Sequence, residues 1–407
     1  MRTKHLTKSR RVYTPMKLLF YRYGSICEPD IILGFKELGF DVSEITEEIT
    51  NKSVSPQKCI QLVSNFLLNH PVDFVFTVNF YPSISEVCNI FHLRYLCWIV
   101  DSPVMELYTS SIQNPWNRVF LFDKCLYHEI SRFNPKCVFY LPLATNITQK
   151  NLLLSSTSES IVHSFSAKVS FIGSLYTEKC AYDRLSPQAP SYLQGYLNGL
   201  MESQLHIYGY YFIEELLPDS IIQDFISNFP HFYHLPGENF LSDRTTLAQL
   251  YIGTKITVME RDRIMHFLSE RYPVTIYTGS NTTAYPKLIN KGFAKSETEM
   301  PIIFHSSDIN LNITAKSIRS GLPLRIWDIL GSCGFCLTNY QTELSELLNI
   351  GTHLDTYSSF DELDEKIHFY LNHPSIRKEI AQTGYEEIKN HHTYPIRLAQ
   401  MITLAYQ

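Results

Sequence analysis

The side chains able to do chemistry concentrate between positions 316 and 343. Gly321 ends one turn, and Pro323 suits the first position of a helix, where its missing N–H needs no partner. Arg325 then falls in the first turn of that helix, where a cation opposes the positive end of the helix dipole at a cost of about 0.3–1 kcal/mol. An anion docked there would satisfy both the free N–H groups and the guanidinium. Asp328 follows three residues later on the same face, placed to accept hydroxyl hydrogen bonds behind that anion. Phosphate plus sugar hydroxyls describes a nucleotide; a bare surface pair of Arg325 with Asp328 is the alternative that the spacing allows. Lys316 and Arg319, again three apart, would complete a diphosphate clamp. Asn339, Tyr340, Gln341 and Thr342 join a strand to a second helix start, with Thr342 as its expected N-cap.

Near-continuous apolar runs supply the frame that must position these residues. They cover 17–23, 72–78, 95–100, 119–122 and 137–141, and strands buried on both faces read this way. Residues 29–38 between the first two have helical apolar spacing (Ile31, Ile32, Phe35, Leu38) and are closed by Gly39. A second series comprises 169–172 before Gly173 and Ser174, 205–208 before Gly209, 274–277, 309–311 and 335–338, with amphipathic helices across 359–390. The pattern predicts two parallel α/β sheets with a cleft between them. Serines at 155, 156, 158, 160, 164 and 166 mark 147–168 as the expected linker between an N-terminal domain at 16–146 and a C-terminal one from 169. Residues 213–270 read as a helical insertion in the second domain.

The 407 residues exceed what one core holds, and 44% hydrophobic against 18% charged residues excludes a disordered chain. A net charge of -5 gives no broad basic surface, so nucleic acid is not an expected partner. Nine scattered cysteines suit a reduced, cytoplasmic protein, with Cys333 and Cys336 read as packing residues rather than a metal site. No apolar run approaches the ~20 residues that span a bilayer. The tail at 1–15 carries Arg2, Lys4, Lys8, Arg10 and Arg11 without an acid, which allows a weak contact with anionic lipid or an acidic partner.

The run from Asp308 through Lys316, Gly321, Pro323, Arg325 and Asp328 to Gln341 resembles the spore-maturation, CgeB-type branch of the group 1 glycosyltransferases. So does the C-terminal His392-Thr393-Tyr394 with Arg397. In the first half, Val78-Asn79-Phe80-Tyr81-Pro82, Trp98 to Pro103 and Tyr140 to Asn146 resemble the N-terminal domain that accompanies it, and the segments at 169–176 and 299–304 fit as well. The resemblance implies a GT-B architecture, in which two Rossmann-like domains face each other across a cleft. The C-terminal domain would hold a nucleotide-sugar, UDP-linked foremost, the other would present the acceptor, and the last helix, from 393, would cross back. It further implies that two acidic positions eight apart grip the donor. Asp328 keeps the ribose-side carboxylate, whereas Ser320 replaces the sugar-side one. Gly292 and Phe293 would lie along the base, and Gly173 and Ser174 near the phosphates.

The expected chemistry is sugar transfer to a hydroxyl on a surface, spore-coat or flagellar protein or glycan, retaining rather than inverting, with no cofactor. The chain lacks an Asp-x-Asp, so fixed cations and helix starts would stabilise the leaving diphosphate in place of a metal. Asp101 emerges at a strand end facing the donor, where Asn79 and His128 would join it around the acceptor hydroxyl or donor sugar. Its alternative role is to cap the following turn. The rival functions are a non-catalytic binding or spore-coat protein of the same fold and a GT-B-like epimerase.

Overall fold

The structure, a computed structural model, describes residues 15–407; the basic tail lies outside them apart from Pro15. Six strands form the first sheet: β1 (Lys17–Tyr21), β2 (Asp41–Ile45), β3 (Phe74–Val78), β4 (Arg94–Trp98), β5 (Asn117–Leu121) and β6 (Val138–Tyr140). All pair in parallel in the order β2-β1-β3-β4-β5-β6. Every residue of β3 is buried, as a strand covered on both faces requires. The order reverses at β1 and β3, which opens a crevice beyond their C-terminal ends.

The second sheet repeats the plan with β7 (Ala167–Ile172), β8 (Val274–Tyr277), β9 (Ile289–Asn290), β10 (Ser307–Asn312), β11 (Cys336–Asn339) and β12 (Asp355–Tyr357). Its order is β12-β11-β10-β7-β8-β9, again all parallel, with the reversal between β7 and β10.

Two segments differ locally from the sequence reading. Residues 147–168, the expected linker, follow β6, run into the start of β7 and contain the helices Ile147–Ser156 and Glu159–Ser164. The serines expected to break structure turn their hydroxyls back onto carbonyls three residues earlier, as Ser155, Ser156 and Ser164 do, and so satisfy themselves within the helices. Residues 205–208 form no strand; the helix Ser191–Leu205 ends there, and its apolar face joins the helices Asp219–Ser227 and Gly253–Ser269 around Phe225. The expected insertion at 213–270 thus shares one core with residues 180–205 that precede it.

The last helix, Tyr394–Ala405, lies against the helix Glu28–Glu37 of the first sheet. Gly34 permits the approach, because a Cβ there would stand 2.9 Å from Leu398 Cδ1. Arg94 and Arg118 donate to Ala405 O at 3.2 and 3.0 Å, closing the carbonyl end of that helix. No helix among the described residues is long and apolar enough to cross a membrane.

Candidate active site

The loops that follow β4 and β5 meet the loop that follows β10. Ser102 Oγ donates to Ser317 O at 2.6 Å, and Ser317 Oγ returns a bond to Ser102 O at 2.8 Å. Asp123 caps the helix Lys124–Ile130 through Leu126 N at 2.9 Å. Its other carboxylate oxygen accepts the N–H groups of Arg319, Ser320 and Gly321 at 2.7, 3.0 and 3.3 Å. A Cβ at Gly321 would fall 2.7 Å from Phe122 O, so only glycine allows this approach. Ser320 Oγ lies 2.7 Å from Glu343 Oε1 and 3.0 Å from Asp123 Oδ1, and Tyr140 donates to Glu343 at 2.5 Å. Burial raises the Glu343 carboxyl above its ordinary range. Ser320 therefore sits in a buried knot between the domains, where its hydroxyl is fully engaged.

The two cations expected in a clamp are each held by a carboxylate. Lys316 Nζ stands 3.1 Å from Glu260 Oε1 with both side chains buried, and Arg319 pairs with Glu129 at 2.5 Å. Burial pushes the Arg319 pKa down, but the charges of Glu129 and Asp123 outweigh it and hold the guanidinium ionised. The strand-to-helix residues are likewise engaged. Asn339 Oδ1 accepts Thr314 N at 2.9 Å, and Gln341 donates to Ile318 O at 3.2 Å. The Tyr340 ring fills the space above Gly209, where a Cβ would come within 2.8 Å of it. The following helix, Leu344–Leu347, starts beyond Thr342, which is exposed; Glu343 occupies the N-cap position, with its carboxylate drawn into the junction.

Helix Leu324–Gly331 begins one residue after Pro323. Arg325 and Asp328 do not pair. The Arg325 guanidinium donates to Met300 Sδ at 3.1 Å and lies 5.4 Å from the Phe304 ring centre, and none of the described ion pairs includes it. Burial pulls its pKa below the ordinary value, with the Asp328 charge opposing. Asp328 instead accepts Thr145 Oγ1 at 2.7 Å and meets Lys150 Nζ at 3.0 Å, both from the first half of the chain. It lines a cavity of about 430 Å³ shared by Asp30, Lys150, Glu297, Thr298, Met300 and Leu324. Asp30, which accepts from Asn146 at 2.8 Å, has its pKa pushed up to about 6 there by burial.

At the β7 and β10 reversal the sequence reading missed a residue. Arg261, 7% exposed, donates to Ser174 O after β7 and, at 2.5 Å, to Ile313 O after β10, with its guanidinium 4.7 Å from the Tyr176 ring centre. None of the described ion pairs includes it. Burial lowers its pKa. The sequence offered a signal only in hindsight, since Arg261 sits between two acids in what reads as a solvated helix face. Gly173 N bonds Tyr277 O at 3.1 Å, and the Ser174 hydroxyl is taken by Glu178 at 2.6 Å. Gly292 has φ +76, and the exposed Phe293 ring lies over Gly279, where any Cβ would collide with it.

Across the junction, the first sheet's crevice gathers Asn79 and Asp101 but not His128. Asn79, at φ 60, donates to Asp101 Oδ2 at 2.7 Å and to Tyr23 OH at 3.1 Å, and its Oδ1 accepts Val100 N at 3.0 Å. Tyr23 OH also donates to Asp101 at 3.2 Å. Asp101 thus binds side chains rather than capping the next turn. His128 is exposed near the end of the helix Lys124–Ile130, against Tyr127, and does not line the cavity that holds Asn79 and Asp101.

Residues 261–403, running from Arg261 through β8 to the last helix, match a family model described as glycosyl transferase-like. The structure is similar over 97% of this chain and 98% of that one to a glycosyltransferase from Rickettsia africae, at 10% identity and TM-score 0.54. It is also similar to Anabaena HepE in complex with UDP and glucose, at 11% identity and TM-score 0.51, covering 96% of this chain and 100% of that one. Sucrose-phosphate synthase from Thermosynechococcus elongatus covers 96% and 98%, at 10% identity and TM-score 0.52. The fold is GT-B. At these identities the likeness speaks for architecture alone, and no curated protein matches the chain. Each of the two Rossmann-like sheets thus carries one strand-order reversal with a crevice at its strand ends.

Proposed function

We propose that the chain is a glycosyltransferase that moves a sugar, a hexose foremost, from a UDP-sugar to a hydroxyl acceptor. The observation that carries this is Arg261. A buried cation without a carboxylate partner sits at the strand-order reversal of the second sheet, where α/β folds bind ligands, and it starts the segment that matches the glycosyltransferase model. With the Arg325 helix start it supplies fixed positive charge for a leaving diphosphate, so no metal is invoked and transfer persists in EDTA. Asp328 is the ribose ligand of this reading, and Phe293 the flat surface beside the base. Asp101, oriented by Asn79 and Tyr23, acts on the acceptor hydroxyl or the donor sugar; a retaining outcome and a spore-coat, flagellar or surface acceptor belong to the same proposal. Nine free thiols among the described residues support a cytoplasmic location.

One observation favours a second reading, a non-catalytic nucleotide-sugar-binding protein: Ser320, which the resemblance aligns with a sugar-side carboxylate, is locked in the junction. A melting-point panel of UDP, GDP, TDP and CMP sugars, followed by turnover of the sugar that stabilises most, separates the two. Stabilisation with turnover supports the transferase; stabilisation without it supports the binding protein.

A further inference from the structure

We propose that the cavity beyond β1 and β3 is an acceptor subsite for an uncharged or amine-bearing saccharide, not for a phosphorylated or uronic one. This rests on the transferase reading above. The cavity measures about 630 Å³, within the range of small-molecule sites. Asn79 and Asp101 come from the strand ends, Glu48 and Tyr81 from the neighbouring helices and turns, and Tyr233 from the insertion. Three carboxylates, Glu48, Asp101 and Glu106, line it, and no Lys or Arg does.

The three acids are not equivalent. Glu48 is spent on the wall, because its oxygens accept Tyr21 OH at 2.7 Å and Tyr81 OH at 3.1 Å. Asp101 uses only Oδ2 for Asn79 and Tyr23, which leaves Oδ1 for a ligand. Glu106 is exposed, and among the described hydrogen bonds its carboxylate has none. Carboxylates accept from hydroxyl and ammonium groups and offer nothing to an anion, which would meet like charges with no Lys or Arg among the lining residues; the nearby Lys52 ammonium is turned to Tyr23 O outside that lining. The Tyr23 and Tyr81 rings supply apolar faces against which the C–H face of a pyranose can lie, with their hydroxyls turned to Asp101 and Glu48. The insertion closes the site over these groups. Ser110 N bonds Glu238 O at 3.0 Å, Phe240 N bonds Tyr108 O at 2.7 Å, and Phe133 stacks on Phe240 at 4.5 Å. Asp101 adjoins Ser102, which touches the second domain through Ser317, so this cavity lies beside the cleft.

Saturation-transfer NMR on the intact chain tests this with four probes: a methyl hexopyranoside, glucosamine, glucuronate and glucose 6-phosphate. The expected result is binding of the first two and at least about tenfold weaker binding of the two anions, a difference of one decade in Kd. Glu106→Lys, checked for an unchanged melting point, should narrow or reverse that ranking. Equal or tighter binding of the anions, no binding of any probe, or a ranking that Glu106→Lys leaves untouched would overturn the proposal. Calorimetry with UDP is the separate readout. A chain that ranks the saccharides as expected but does not bind UDP keeps the subsite and loses the transferase reading. One that binds UDP and prefers the anionic sugars does the reverse.

Discussion

The two strand-end crevices differ in which charged groups they hold and in how freely they present them. Beyond β1 and β3, carboxylates face an open cavity with no cation among its lining residues. Beyond β7 and β10, the cations are held back: Arg261 by two backbone carbonyls, Lys316 by Glu260 and Arg319 by Glu129. A buried charge is costly unless it is partnered, so the basic side of the cleft had to be built into the junction while the acidic side could stay wet. The difference teaches that the two domains do not contribute alike. One supplies field through groups fixed in place, and the other supplies side chains that a ligand can reach. The proposed transfer from an anionic donor to a non-anionic acceptor would draw on this difference.

The comparison breaks most readily at Asp123, whose carboxylate joins the two sides. Asp123→Ala leaves the N–H groups of Arg319, Ser320 and Gly321 without their acceptor and removes a helix cap. At about 1–3 kcal/mol for each orphaned group, the variant should lose at least about 3 kcal/mol and melt many degrees lower. A melting point within a degree or two of wild type would show that these bonds do not hold the junction.

Next in size is Asp101→Asn. It keeps the shape of the open crevice and removes the charge held by Asn79 and Tyr23, so turnover should fall at least about a hundredfold with UDP affinity nearly unchanged. If turnover stays at the wild-type level, Asp101 is only a structural partner of Asn79 and Tyr23. On the basic side, Asp328→Ala should weaken UDP binding about tenfold in calorimetry, the scale of a lost charge-assisted hydrogen bond. Because Lys150 also depends on Asp328, the double variant with Lys150→Met separates the two roles. If the double variant recovers the lost affinity, Asp328 acts through the junction rather than on the ligand.

The smallest effect is a pH slope. Burial, with the Arg397 charge second, lowers the His392 pKa from 6.5 to about 3. Below pH 6.5 the unfolded chain takes up a proton that the folded chain refuses, so this residue makes stability fall as the pH drops from 6.5 towards 3. His392→Gln should flatten the dependence of the melting point across that window, while an unchanged slope would assign it to other groups.

Much of this molecule was legible in its residues. The doubly covered strands announced themselves as apolar runs, because a strand buried on both faces has no place for polar alternation. The Asn79 and Asp101 strand ends, and the helix start before Arg325, could likewise be read from local spacing. What local spacing could not reveal was the partner of each charge. Arg325 and Asp328 look like a pair on one helix, yet Asp328 turns to Lys150 and Thr145, some 180 residues away along the chain. Arg261 looks like a surface cation and is a buried bridge between two strand ends. His128 looks available to Asp101, yet it stands exposed beside Tyr127 and outside the cavity that Asp101 lines. The serine-rich stretch at 147–168 reads as a linker, and its helices were not legible because its hydroxyls satisfy themselves inside them. Sequence determines which segments must be buried, since that is a property of each side chain and its neighbours. Which charges meet is decided only when the two sheets dock, because the energy of a charge depends on what surrounds it rather than on what precedes it in the chain.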